Sequence, residues 1–266
     1  NDSIAPRLLI PVGIILGIGF IIYVARMYSR IKMNHKLDRD DFAITVAEIC
    51  SIVGYALVAV SCKYGVGRHT IHVSSEDRSS ALFYFFLQAT VCYWGVAAMR
   101  VSVAFLLLRM MPHSTAWKRI LWIMISFQVL VVLFTTVWSV TFCIPPRAFW
   151  KNVPGAKCKS TYAARVFGYL YTSIGMSSDL FLSLMPLTFI WHLRRPRVEK
   201  VVVGVLMCLG LTATTAAIKR LVDMAYWNYS SSDLLRDLLI PNMWCMLEEV
   251  IGVAAVSIPY LKAPME

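Results

Sequence analysis

The stretch Leu239–Leu261 has the sequence LIPNMWCMLEEVIGVAAVSIPYL, an apolar run with two adjacent glutamates near its centre. An α-helix needs about 20 mostly apolar residues to cross a bilayer, so this run is long enough. A carboxylate at that depth is costly unless it is protonated, paired or hydrated. Glu248 and Glu249 are therefore the first candidates for a functional site.

Six further apolar runs precede this one, and the composition agrees with them. Hydrophobic residues make up 58% of the chain and charged residues 15%, whereas soluble domains have about 45–50% and about 25%. We therefore predict an all-α polytopic membrane protein, a single seven-helix transmembrane domain over residues 1–266. Its main partner would be the lipid bilayer of the plasma membrane or an endomembrane, and we expect no nucleic-acid binding. The predicted spans are Leu8–Arg30, Asp41–Cys62, Ala81–Met110, Trp117–Cys143, Tyr162–His192, Val201–Lys219 and Leu238–Leu261.

The orientation follows from cysteine and sequon positions, because lysine and arginine are divided almost equally between the two faces. Cys143 and Cys158 bracket one loop, which favours a disulfide on an oxidising face. Asn228 begins an Asn-Tyr-Ser glycosylation sequon in the last loop on that same face. With seven spans, these signals predict an outside N-terminus and a cytosolic C-terminus.

Several motifs, in order along the chain, resemble the fungal rhodopsin-domain integral membrane proteins, a group with receptor-like and toxin-cluster members. The resemblance implies a seven-helix membrane fold and an outer-loop cysteine pair. Glu248 fits the family's final span, whereas Glu249 is additional to its pattern. The matching residues are Asp40-Asp41, Tyr64-Gly-Val-Gly-Arg-His69, Arg100-Val-Ser102, Arg109, Cys143, Trp150, Cys158, Asp179, Pro186, Gly210, Arg220, Trp244, Glu248, Gly252, Pro259, Leu261 and Lys262.

Ionisable residues inside the predicted spans divide into two groups by depth. Glu48 and Arg100 both fall in the inner third, where we expect a structural ion pair. The candidate ligand-binding group lies deeper in the membrane or toward the outer side, and the alternative is that its members only tie helices together. Adjacent helical residues point about 100° apart, so we expect Glu248 to face a polar cavity and Glu249 a neighbouring helix. The candidate group comprises Glu248, Glu249, Asp179 and Arg220.

Two hypotheses for function remain open. The first is a receptor-like protein whose intramembrane site binds a small lipophilic ligand. The second is a membrane enzyme or accessory protein of secondary metabolism, with Glu248 or Asp179 as a general acid. A transporter comes third, because no internal repeat is evident. The cytosolic partner and any catalytic residues stay unidentified.

No cofactor is expected, since a retinal Schiff base needs a lysine and the last span has none. Four residues of the first outer loop suggest a weak metal site, but solvated side chains are the simpler interpretation, and we predict no metal. These residues are His69, His72, Glu76 and Asp77.

Overall fold

The computed structural model describes residues 4–32, 38–110, 115–190, 197–226, 235 and 239–261. Within these ranges the chain forms seven long helices, which confirms the all-α prediction. Two short 3-10 helices, Thr70–His72 and Pro146–Phe149, and a two-stranded hairpin lie between them. The long helices are α1 (Ala5–Lys32), α2 (Arg39–Lys63), α3 (Ser75–Met110), α4 (Thr115–Val140), α5 (Thr161–Ile190), α6 (Arg197–Tyr226) and α7 (Leu239–Leu261).

Among the described residues, five of these helices are long and apolar enough to cross a membrane: α1, α2, α3, α4 and α7. Large apolar side chains are exposed on them, as expected for helices in contact with lipid tails. On α1 these include Ile14 and Ile21, and on α4 they include Leu130 and Phe134. These features support a membrane protein.

Two buried clusters lie at the two ends of the bundle and show that α2 runs opposite to α1, α3 and α7. One cluster joins the start of α1 and α7 to the end of α2, through Val12, Val58 and Met246. The other joins the start of α2 to the later parts of α3 and α7, through Ile44, Leu107 and Val253. Helix α7 packs against α1, α2, α3 and α6, so its residues can reach several helices.

The loop after α4 forms a disulfide-linked hairpin. Strands β1 (Cys143–Ile144) and β2 (Lys157–Cys158) pair antiparallel, with Cys143 opposite Cys158, and these two cysteines are disulfide-bonded. The predicted disulfide is therefore confirmed. Trp150 from the same loop packs on Phe83 of α3, with ring centroids 5.1 Å apart. We call this end of the bundle the disulfide end, and the end where α2 begins the opposite end.

The glycine loop after α2 fixes the disulfide end of the bundle. Gly65 and Gly67 have φ values of +116° and +88°, which side chains with a Cβ rarely adopt. The Gly67 N–H donates to the Leu235 carbonyl at 3.0 Å, and the Gly67 carbonyl accepts from Ile4 N–H at 3.1 Å. The loop therefore connects the beginning of α1 to the segment before α7.

Candidate functional site

Four charged side chains from four helices meet inside the bundle, and we call them the ion cluster. Arg100 on α3 donates from Nε to Asp179 Oδ1 at 2.8 Å and from Nη2 to Asp179 Oδ2 at 2.9 Å. The same Nη2 donates to Glu248 Oε1 on α7 at 2.9 Å. Arg220 on α6 pairs with the other oxygen of Glu248. Thus Arg100, Asp179, Arg220 and Glu248 form one continuous network.

The ion cluster is charge-balanced and almost entirely buried. It holds two guanidinium groups and two carboxylates, and the side chains of Arg100, Asp179 and Glu248 are 6%, 8% and 2% exposed. A buried charge is tolerated when it is paired and hydrogen-bonded, and a planar guanidinium can bind a carboxylate through two parallel bonds. Gly175 on α5 makes room, because a Cβ there would lie 3.0 Å from Arg100 Nη2.

A cavity of about 230 Å³ opens beside the ion cluster, between α3, α5, α6 and α7. Arg100, Asp179 and Glu248 form the polar part of its wall, together with hydroxyl side chains. The rest of the wall is largely apolar and comes from residues such as Met99, Leu182, Leu247 and Ile251. This arrangement offers an apolar space with a few convergent polar groups, which is the usual form of a small-molecule site.

Glu249 points away from this cavity, toward α2 and α3. Its Oε1 accepts a hydrogen bond from Ser51 Oγ at 2.8 Å. It also lies so close to Gly95 that a Cβ there would overlap the carboxylate. The structure therefore separates the two adjacent glutamates as their helical spacing predicts, with Glu248 in the ion cluster and Glu249 against neighbouring helices.

The predicted ion pair between Glu48 and Arg100 is wrong. Arg100 bonds to Asp179 and Glu248 instead. Glu48 is 3% exposed, and its Oε1 has no hydrogen-bond partner within the described part of the chain. Span direction gave both residues a similar depth, but depth does not specify which way a side chain points around its helix.

Sequence reasoning missed a second ionic network at the opposite end. Arg26 on α1 bonds from Nη2 to Asp40 and Asp41 of α2, at 2.9 Å in both cases. Its Nη1 donates to the Val256 carbonyl of α7 at 2.9 Å. Arg30 donates to Asp41 at 2.6 Å. The clue was present in the four-residue spacing of the two arginines and the acidic start of α2.

This network, which we call the arginine–aspartate cluster, also reaches α3. Arg109 bonds to Asp38 at 3.2 Å, and Ser102 Oγ donates to the Asp40 carbonyl at 3.1 Å. Among the described residues, the cluster contains three arginines and three aspartates. These members are Arg26, Arg30, Asp38, Asp40, Asp41 and Arg109.

The remaining candidates fall outside the site. The described residues contain no group of three His, Cys, Asp or Glu side chains that could hold a metal ion. Asn228 lies outside the described residues. Cys92 of α3 and Cys245 of α7 have their sulfur atoms 3.1 Å apart, a contact that the sequence did not predict.

Comparison with known proteins gives a family and one relative. A model of the fungal rhodopsin domain matches residues 25–266. The chain is similar to Fugralins biosynthesis cluster protein 2 of Gibberella zeae, with 26% identity over 273 residues. The alignment covers 97% of this chain but 64% of that relative, so the chain spans less than two thirds of the relative's length. No solved structure matches the chain.

Proposed function

The chain belongs to the fungal rhodopsin domain family, and we propose that it is a receptor-like membrane protein that binds a small lipophilic molecule. The cavity beside the ion cluster would be the binding site. The observation that carries this proposal is the combination of an apolar space of about 230 Å³ with a charged, fully paired wall. Arg100, Asp179 and Glu248 would line that site, and Arg220 would act on it through its bond to Glu248.

The size of the cavity suits a compact ligand. An apolar cavity of about 150 Å³ accepts benzene, so a space of about 230 Å³ fits a molecule of one or two rings. Because the walls come from four helices, such a ligand would contact all of them at once. A molecule that binds one packing arrangement of these helices better than another shifts the balance between them. This coupling between ligand binding and helix packing supports a sensor function.

The second candidate is a membrane enzyme or accessory protein of secondary metabolism. It is favoured by the name of the relative, which is a biosynthesis cluster protein. A general acid must present a proton-bearing oxygen to its substrate, however, and here all four carboxylate oxygens of Asp179 and Glu248 accept bonds from arginine side chains. We therefore prefer ligand binding to acid catalysis at this site.

The proposal includes an orientation. All seven helices would cross the membrane, with the N-terminus and the disulfide end outside and the C-terminus in the cytosol. A disulfide between Cys143 and Cys158 fits an oxidising compartment, and glycosylation of Asn228 would occur on the same side. The protein would be an integral multi-pass protein of the plasma membrane or an endomembrane.

Ligand binding can be tested by filling the cavity. Ala216 of α6 lines it, whereas Ile218, two residues later, is 50% exposed on the outside of the bundle. We expect Ala216→Phe to reduce binding of 2-naphthol to protein in nanodiscs by about tenfold or more, the equivalent of about 1.4 kcal/mol. Ile218→Phe is the matched control and should bind as the unmodified protein does. Equal binding by both variants in equilibrium dialysis would contradict the proposed site.

The two candidate functions can also be separated. If Glu248 is an acid catalyst, Glu248→Gln should abolish product formation in a host that carries the biosynthetic pathway. If the protein senses a ligand, product formation should persist whenever the pathway enzymes are expressed independently of this protein. Product quantified by mass spectrometry distinguishes the two outcomes.

A further inference from the structure

The polar groups on the cavity wall indicate which kind of molecule the cavity would accept, if the proposed ligand site is real. Asp179 and Glu248 are carboxylates that accept bonds from Arg100. Each carboxylate has about four acceptor positions, and the bonds recorded in the structure use only some of them. The carboxylates therefore keep capacity for a further donor.

The hydroxyl groups on the wall also act as acceptors toward the cavity. Ser183 Oγ donates its proton to the Leu180 carbonyl at 3.0 Å, and Thr215 Oγ1 donates to the Thr212 carbonyl at 2.8 Å. A hydroxyl has one proton to donate and two lone pairs, so these two groups offer lone pairs to a ligand. The wall thus offers acceptor oxygens from both its carboxylates and its hydroxyls, beside donors on Arg100 and Trp244.

Charge balance limits the ligand further. The two positive charges of Arg100 and Arg220 are matched by the two negative charges of Asp179 and Glu248. A ligand with a carboxylate or an ammonium group would add one unpaired charge to a buried, apolar environment, which is strongly unfavourable. A neutral ligand adds none.

We propose that the cavity selects a small ring-containing molecule whose head group is a neutral hydrogen-bond donor, such as a phenol or an alcohol. The head group donates to Asp179 or Glu248, and the ring system occupies the apolar part between Met99, Leu182 and Ile251. Carboxylic acids, amines and ethers of the same size are rejected. The acid and the amine are rejected for their charge, and the ether because it can only accept bonds and so leaves the acceptor oxygens of the wall without a donor.

Four naphthalene probes of similar size test this selectivity: 2-naphthol, 2-naphthoate, 2-naphthylmethylamine and 2-methoxynaphthalene. Binding is measured by equilibrium dialysis on the full chain in nanodiscs. The uptake measured with the Ala216→Phe variant is subtracted as the background from the lipid. We expect 2-naphthol to bind about tenfold more tightly than each of the others. Binding of 2-naphthoate or of the ether as tight as that of 2-naphthol overturns the proposed selectivity while leaving a ligand site in place.

Charge variants test the physical reason. Glu248→Gln gives the ion cluster one excess positive charge, and we expect it to bind 2-naphthoate about tenfold better than the unmodified protein does. Arg220→Gln gives one excess negative charge, which should favour the amine in the same way. The double variant Arg220→Gln with Glu248→Gln restores neutrality and should again prefer 2-naphthol. If a single variant does not fold, Asp179→Asn and the double variant give the same comparison, and an unchanged preference overturns the proposal.

Failure of the proposed function has a different signature. If none of the four probes binds in a way that Ala216→Phe reduces, the cavity is not a small-molecule site or is already filled by a lipid acyl chain. Both proposals then fail together. If Ala216→Phe reduces binding of all four probes equally and the probes bind with equal affinity, only the proposed head-group selectivity is contradicted.

Discussion

Arg100 is the residue on which the ion cluster depends, because it bonds to Asp179 and to Glu248 on two other helices. Arg100→Gln would leave both carboxylates with too little positive charge beside them. Removing one partner of a buried ionic network typically costs about 3–5 kcal/mol. We therefore expect a clear fall in the thermal unfolding midpoint of the purified protein in detergent, and Arg100→Lys should recover little of it because an ammonium lacks the forked geometry.

Arg68→Gln is the matched control for this substitution, because Arg68 is exposed in the loop after α2. It should leave the unfolding midpoint nearly unchanged, as surface substitutions usually do. Similar midpoints for Arg100→Gln and Arg68→Gln would mean that the ion cluster contributes little to holding α3, α5 and α7 together.

For individual residues, the sequence predicted the members of the ion cluster more accurately than it predicted which of them bond to each other. Asp179, Arg220 and Glu248 were expected to share a polar centre, and they do lie in one cluster. The predicted partner of Arg100 was wrong, because the depth of a residue along a helix does not specify the direction in which its side chain points around the helix axis. For Glu249 the 100° step between neighbours was sufficient to place it on another side of α7.

Among the helices, apolar runs identified each element but not where it begins. The prediction began the third helix at Ala81, whereas α3 begins at Ser75. Ser74 explains the difference, because its Oγ accepts a hydrogen bond from Asp77 N–H at 3.2 Å and satisfies a free donor of the first turn. A polar first turn adds to helix length without adding to hydropathy, so a search for apolar runs does not detect it.

Helix α1 is held at the opposite end by Arg26, which bonds to α2 and to the backbone of α7. We expect Arg26→Met to remove an arginine that bonds to both Asp40 and Asp41, leaving Arg30 on Asp41, and to lower stability by about 3 kcal/mol. Amide hydrogen exchange should rise most in the last turns of α1, where the lost bonds lie. Arg7→Met is the control, because Arg7 is exposed in the first turn of the same helix. An equal exchange pattern in the two variants would contradict this role.

For the whole molecule, two ionic networks at different depths complement two apolar clusters. The ion cluster links α3, α5, α6 and α7, while the arginine–aspartate cluster links α1, α2, α3 and α7. Helices α3 and α7 take part in both. A ligand that displaces α7 within the cavity would therefore also act on the Arg26 bond to Val256, which gives the receptor proposal a physical route from one end of the bundle to the other.

Membrane orientation is a property of the whole molecule, and the proposed seven spans make a definite prediction for it. The disulfide hairpin, the beginning of α1 and the beginning of α7 share one end of the bundle, so they should share one side of the membrane. In microsomes opened with detergent we expect glycosidase treatment to remove a glycan that Asn228→Gln also abolishes, whereas sealed microsomes should protect it. A tag fused after Glu266 should be digested by added protease without detergent, because seven crossings put it on the cytosolic side. A tag that is digested only after detergent is added would require an even number of crossings or the reverse orientation. In the reverse orientation the disulfide would have to form on the cytosolic side, where thiols are kept reduced.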